Sequence, residues 1–123
     1  MKEKLIIKQE EMHYVEKGWG FERWLWNESY CGKILSFNKG KKCSYHFHPL
    51  KDEVLTLFSG LILMKYSYDK DLSKAEEVIL EAGMAFHVPP NMCHQMIALE
   101  DSVIFETSTH HEDSDSIRVV KGD

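Results

Sequence analysis

No run of apolar residues in this chain is long enough to cross a membrane. The richest stretch, 54–64, is broken by Ser59 and Gly60, whereas a spanning helix needs about 20 apolar residues. The start is charged and offers only Leu5-Ile6-Ile7 as an apolar run, so no secretory leader is expected. Basic charge is not in surplus: 15 Lys and Arg face 20 Asp and Glu, for a net charge of -5. Neither nucleic acid nor an anionic membrane surface is expected as a partner. Cysteines are few, odd in number and without a C-x-x-C pair: Cys31, Cys43 and Cys93. Reduced thiols in a cytoplasmic protein are the expectation, with Cys43 and Cys93 acting as small hydrophobes. Internal repeats and low-complexity linkers are missing. The length of 123 residues fits one domain, 1–123, with an N-terminal extension over 1–16 and a polar, loop-like tail over 110–123. Helical periodicity is also scarce. The segments 2–15 and 71–81 come nearest, and Val78-Ile79-Leu80 reads better as the end of a strand.

What the chain does have is many short strand-like runs between turn signals. They fall at 4–8, 21–26, 33–37, 44–48, 54–58, 61–68, 76–80, 85–88, 95–99 and 103–107. Turns are marked by Asn38-Lys39-Gly40, Ser59-Gly60, Gly83 and Pro89-Pro90-Asn91, among others. Such spacing argues an all-β sandwich or barrel.

The chemistry concentrates between Gly40 and Gly60. His46 and His48 are two apart, so on a strand both imidazoles face one side. Glu53 opens the next apolar strand and can return to the same point. Neutral imidazoles with one carboxylate suit Zn, Fe, Mn or Ni. A fourth ligand is expected from 83–98. There Asn91 tolerates the left-handed turn conformation that glycine usually supplies, and His94 opens a strand.

These residues resemble the two motifs of the cupin superfamily. Gly40, His46, His48, Glu53 and Gly60 fit G-x5-H-x-H-x4-E-x6-G at every fixed position. Gly83, Pro89 and His94 fit G-x5-P-x-G-x2-H-x3-N, with Asn91 in place of Gly and Ala98 in place of Asn. The resemblance implies a double-stranded β-helix, a jelly-roll barrel with little helix. It implies one divalent metal ion held by His46, His48, Glu53 and His94. The flanks, K-G-W-G-F-E-R-W-L-W-N from 17 and S-D-S-I-R near the end, look like mannose-6-phosphate isomerase type II-like proteins, whose C-terminal module is a cupin. By that likeness Lys33 matches a basic position, Lys51 stands near an arginine position, and Arg118 matches the arginine of D-D-I-x-R, which is implicated in catalysis.

The likeness implies a metal-dependent sugar or sugar-phosphate isomerase or epimerase, acting on a small molecule. The metal would polarise a carbonyl. Glu106 would be the general base, unless it sits at the rim. Lys33, Lys51 and Arg118 would hold an anionic end, unless they are solvated surface charges. Met96 shares the His94 face and would line the pocket. Two other readings use the same residues: an Fe- or Mn-dependent oxygenase, and a non-catalytic module that binds a small carbohydrate or acid. Trp19, Phe21, Trp24 and Trp26 read as core or subunit contacts, and Met64, Met84 and Met92 as core. His13, His110 and His111 are expected to be exposed, and His87 to be a satisfied structural histidine. Apolar residues on both faces of the Glu53 strand, Leu55 and Leu57 against Val54 and Phe58, suggest a homodimer.

Overall fold

The structure is a computed structural model that describes residues 4–123. Eleven strands alternate with tight turns: β1 (His13–Lys17), β2 (Gly20–Asn27), β3 (Tyr30–Phe37), β4 (Tyr45–Phe47), β5 (Glu53–Ser59), β6 (Leu61–Ser67), β7 (Glu76–Glu81), β8 (Ala85–Val88), β9 (Cys93–Ala98), β10 (Ser102–Thr109) and β11 (Ile117–Val120). Helix among the described residues is limited to three short 3-10 turns, Gln9–Glu11, Leu72–Lys74 and Asp113–Asp115. The strands form two antiparallel sheets. One has the order β1-β2-β3-β10-β5-β8 and the other β11-β4-β9-β6-β7. This is a jelly roll, as the motifs imply.

Each central strand carries an inward ladder that changes character along its length. On β3 the buried positions are Cys31, Lys33, Leu35 and Phe37. On β5 they are Glu53, Leu55 and Leu57, and on β10 Glu106, Ile104 and Ser102. On β9, His94 gives way to Met96 and Ala98. Register aligns Glu106 with Lys33 and Ile104 with Leu35. The barrel therefore has an apolar end and a polar end. Leu35, Phe37, Leu57, Ile62, Met64, Leu80, Ala98 and Ile104 fill the first, with Trp19 stacked on Phe37 at 4.0 Å. Each fully buried aliphatic side chain contributes about 1.5–3 kcal/mol there, so the apolar end supports a polar end that burial alone would disfavour.

Two motif positions act through the backbone. Gly60 has φ +100°, and a Cβ on it would lie 2.2 Å from Ser102 Oγ. Asn91 has φ 71°, the left-handed turn expected of it, and its N–H donates to the His48 carbonyl at 2.8 Å.

Several expectations need correcting. The run 4–8 is not a strand; its apolar residues Leu5 and Ile6 are exposed. Two strands were not anticipated. β1 pairs with β2 from within the presumed extension. β11 lies inside the tail expected to be a loop, and pairs with β4. Both are short and poor in apolar alternation, so their pairing is set by the neighbouring strand. Met84 is exposed rather than in the core. Phe58 is 73% exposed, so the outer face of β5 is less covered than its composition suggests.

Candidate metal centre

The polar end opens into a cavity of about 590 Å³. His46 on β4 and His94 on β9 are direct cross-strand partners, with ring centroids 4.3 Å apart. His48 follows β4 and brings its ring to 5.0 Å from that of His46. The three side chains offer ligand atoms that all lie within 4.8 Å of one another.

Hydrogen bonds fix which nitrogen faces inward. His46 Nδ1 lies 2.8 Å from the Ser44 carbonyl, His94 Nδ1 3.0 Å from the Met92 carbonyl, and His48 Nδ1 3.1 Å from the Asp115 carbonyl. A carbonyl only accepts, so each Nδ1 donates to it and each Nε2 is the ring nitrogen turned towards the cavity. Loss of water drives the ring of His46 well below the usual histidine pKa, with His94 and His48 reinforcing the effect. Burial brings His48 down to about 4, against an opposing pull from Glu53. Both rings are neutral at physiological pH.

Glu53, the first inward residue of β5, reaches this group from the other sheet. Its Oε1 is 3.3 Å from His94 Nε2 and its Oε2 is 3.7 Å from His48 Nε2. Burial raises its pKa, but His94 and Lys51 outweigh that and hold the carboxyl well below its usual range. Oε2 is buried and accepts no hydrogen bond among the described residues; Lys51 Nζ lies 3.1 Å away as an ion-pair partner. Nε2 of His94 and Nε2 of His48 thus converge on the Glu53 carboxylate, and this donor set fits a divalent ion with nitrogen and oxygen preference.

A second layer lies behind these four side chains. Lys51 is 3% exposed and points inward rather than into solvent. Its Nζ donates to Glu106 Oε2 at 3.0 Å and to His111 Nδ1 at 3.0 Å. Burial lowers its pKa, yet Glu53 and Glu106 prevail and keep it above the usual lysine range. Glu106 is 4% exposed, on the inner face of β10 rather than at the rim. It receives both Lys51 and the Ser108 hydroxyl on Oε2. Lys33 is 2% exposed, lies 3.4 Å from Glu22 Oε1 and sits over the Trp24 ring at 4.1 Å. Burial raises the Glu22 pKa, but Lys33 and the Trp24 Nε1–H bond bring it below the usual value. Two buried ammonium groups thus face three carboxylates, and the excess is negative. A bound divalent ion reverses that sign.

Met96 is buried and lines the cavity beside His94. Arg118 is exposed at the cavity mouth, on β11 directly opposite His46. His110 and His13 are exposed as expected, and exposed His87 pairs with Asp52 at 2.7 Å. His111 is the exception: it is buried at 9%, with Nδ1 on Lys51 and Nε2 donating to Asp113 at 2.9 Å. Burial, then Lys51 and Lys33, lower its pKa. Trp24 also departs from its expected role and lines the cavity. Glu22 and Asp115 lie within the two flanking segments that resemble the isomerase-type proteins, but neither was given a role. Alternation along β2 puts Glu22 and Trp24 on one face, but only the pairing with β3 shows that this face is also that of Lys33.

The chain is thus a jelly roll whose three converging histidines can hold a metal ion, with an inward carboxylate beside them. No protein-family model matches the chain, and no curated protein matches it significantly. Solved structures do share the fold. KdgF from Halomonas sp. is 18% identical, with a TM-score of 0.72 over 87% of this chain and 94% of that one. The capsular polysaccharide assembling protein CapF from Staphylococcus aureus is 14% identical, with a TM-score of 0.77 over 89% of this chain and 32% of that one. Oxalate decarboxylase from Bacillus subtilis is 16% identical, with a TM-score of 0.74 over 91% of this chain and 31% of that one. The chain spans almost all of KdgF and about a third of the other two. At these identities the likeness establishes the fold alone.

Proposed function

We propose that this chain is a cupin and a metal-dependent isomerase or epimerase of a small sugar or sugar phosphate. The observation that carries the reading is Glu106, a buried carboxylate fixed in the same cavity as the three converging imidazoles. His46, His48, His94 and Glu53 would hold the ion, which supplies Lewis acidity at a substrate carbonyl or hydroxyl. Glu106 has Oε2 committed to Lys51 and Ser108. Its Oε1 would take a proton from the carbon next to the polarised group and return it. Lys51 would hold that carboxylate aimed. The sequence reading gave Lys33 and Lys51 to an anionic end, but both amines already face carboxylates. Arg118 at the mouth is the better partner for a phosphate or carboxylate. Trp24 and Met96 would wall off water and strengthen these contacts.

The test is turnover of an aldose and ketose panel, with and without phosphate, by protein loaded in turn with Zn2+, Mn2+, Fe2+ and Ni2+. Glu106→Gln should lose about 10²–10⁴-fold in rate and keep its metal. Inactivity of every loaded form across the panel would reject the isomerase. Oxygen uptake that requires Fe2+ would move the protein to the oxygenase reading, and tight ligand binding without turnover to the binding module.

A homodimer belongs to the same proposal. Its support is Phe58, 73% exposed on the outer face of β5. Sedimentation velocity decides it: one monomeric species would reject the dimer, and Phe58→Lys should dissociate it.

A further inference from the structure

The three histidines are not held alike. His46 and His94 each direct Nδ1 to a carbonyl two residues earlier in the chain, Ser44 and Met92. Local geometry of β4 and β9 suffices for both. His48 depends instead on the carbonyl of Asp115, 67 residues away.

Asp115 is tied to the His48 loop at two more points. Its Oδ1 accepts from the Leu50 N–H at 2.9 Å and its Oδ2 from the Lys51 N–H at 2.9 Å. One residue thus receives three donors from the segment 48–51. The 3-10 turn Asp113–Asp115 presents it, closed by the Asp115 N–H on the Glu112 carbonyl at 3.0 Å and the Ser116 N–H on the Asp113 carbonyl at 3.1 Å. The two loop amides have no β-strand partner, since they lie between β4 and β5. Without the carboxylate, the segment that sets both the His48 ring and the Lys51 side chain loses its anchor.

We infer that Asp115 is a positioning residue for the metal centre: its carboxylate clamps the 48–51 loop so that its own carbonyl fixes the tautomer and aim of His48. The inference rests on the three histidines holding a metal and is independent of the reaction. Partners that orient a ligating histidine commonly govern metal affinity. A consequence is reciprocal coupling. If docking of the tail improves metal binding, metal binding improves docking of the tail by the same factor.

The experiment uses the full chain, stripped by chelator and titrated with Co2+ against a chromophoric competitor. Asp115→Ala should weaken Co2+ binding about 10–100-fold and alter the visible spectrum of the Co2+ adduct. Asp115→Asn keeps one acceptor and should weaken it less; it decides the matter if the alanine variant does not fold. Asp71→Ala is the control. Asp71 accepts from the Ser73 N–H at 3.0 Å in another turn, and its loss should leave Co2+ affinity unchanged whatever it does to melting. A readout without activity or affinity comes from amide exchange. The Leu50 and Lys51 amides should exchange faster in the variants, and Co2+ should slow exchange across 113–120 in the parent protein. Parent-like Co2+ affinity and spectrum in folded Asp115→Asn and Asp115→Ala would overturn the inference. A parent protein that binds no Co2+ would overturn the metal reading of the histidines, and this inference with it.

Discussion

The ammonium of Lys51 lies 3.0 Å from Glu106 Oε2 and 3.1 Å from Glu53 Oε2. It links the carboxylate beside the histidines with the carboxylate on the inner face of β10. The electrostatics of the polar end turn on this contact, because Lys51 is the buried amine that both acids share away from water.

Lys51→Met should therefore destabilise the metal-free protein by about 3–5 kcal/mol, the usual cost of leaving a buried charge unpaired. Saturating Zn2+ should recover part of that loss, since the ion supplies positive charge beside Glu53. Urea unfolding with and without Zn2+ measures both effects. An equal loss under both conditions would show that Lys51 acts through packing.

Metal stoichiometry is the direct check on the histidines. The protein should hold one divalent ion per chain after dialysis. His94→Ala should remove most of it, because His94 approaches both His46 and Glu53. Elemental analysis reads this, and circular dichroism confirms that the variant stays folded.

Acid should destabilise the metal-free protein well before carboxylates in general titrate. His48 is brought to about 4 in the folded state from an ordinary 6.5, and His46 is lowered as well. Below pH 6.5 the unfolded chain takes up protons that the folded chain refuses, so stability falls as pH falls. For His48 the loss is complete near pH 4 and amounts to about 3 kcal/mol. Glu53, also held low when folded, acts in the same direction below its ordinary 4.5. Lys51 is raised and works at the other extreme: its contribution is full below its ordinary 10.5 and is lost at higher pH. Urea midpoints of chelator-treated protein should drop steadily through the acid window. A flat response between pH 6.5 and 4 would contradict neutral, buried imidazoles.

At the turn before β9, Asn91→Gly should be neutral or slightly stabilising, whereas Asn91→Ala should cost about 1–2 kcal/mol at φ 71°. The alanine variant should also bind metal somewhat less well, because the Asn91 N–H holds the His48 carbonyl. Thermal melts and the Co2+ titration separate the two effects.

The grouping of His46, His48 and Glu53 was legible because it is local. His46 and His48 share one strand and its end, Glu53 follows within a single turn, and glycines that must take positive φ frame the stretch. Those constraints act over a few residues and so leave a pattern. The jelly roll followed from the same spacing, together with short alternating runs. The layer behind the histidines left no such pattern. Lys33, Glu22 and Trp24 meet through strand register, Lys51 and Glu106 through the pairing of β5 with β10, and His111 and Asp115 through a tail that sits far away in the chain. An isolated lysine, glutamate or histidine reads as solvated from sequence, because water is its default partner. The sequence by itself determined the fold and the convergence of His46, His48, Glu53 and His94. The tertiary structure decided which charges lost their water and had to neutralise one another, since burial of a charged group depends on what the rest of the chain brings against it.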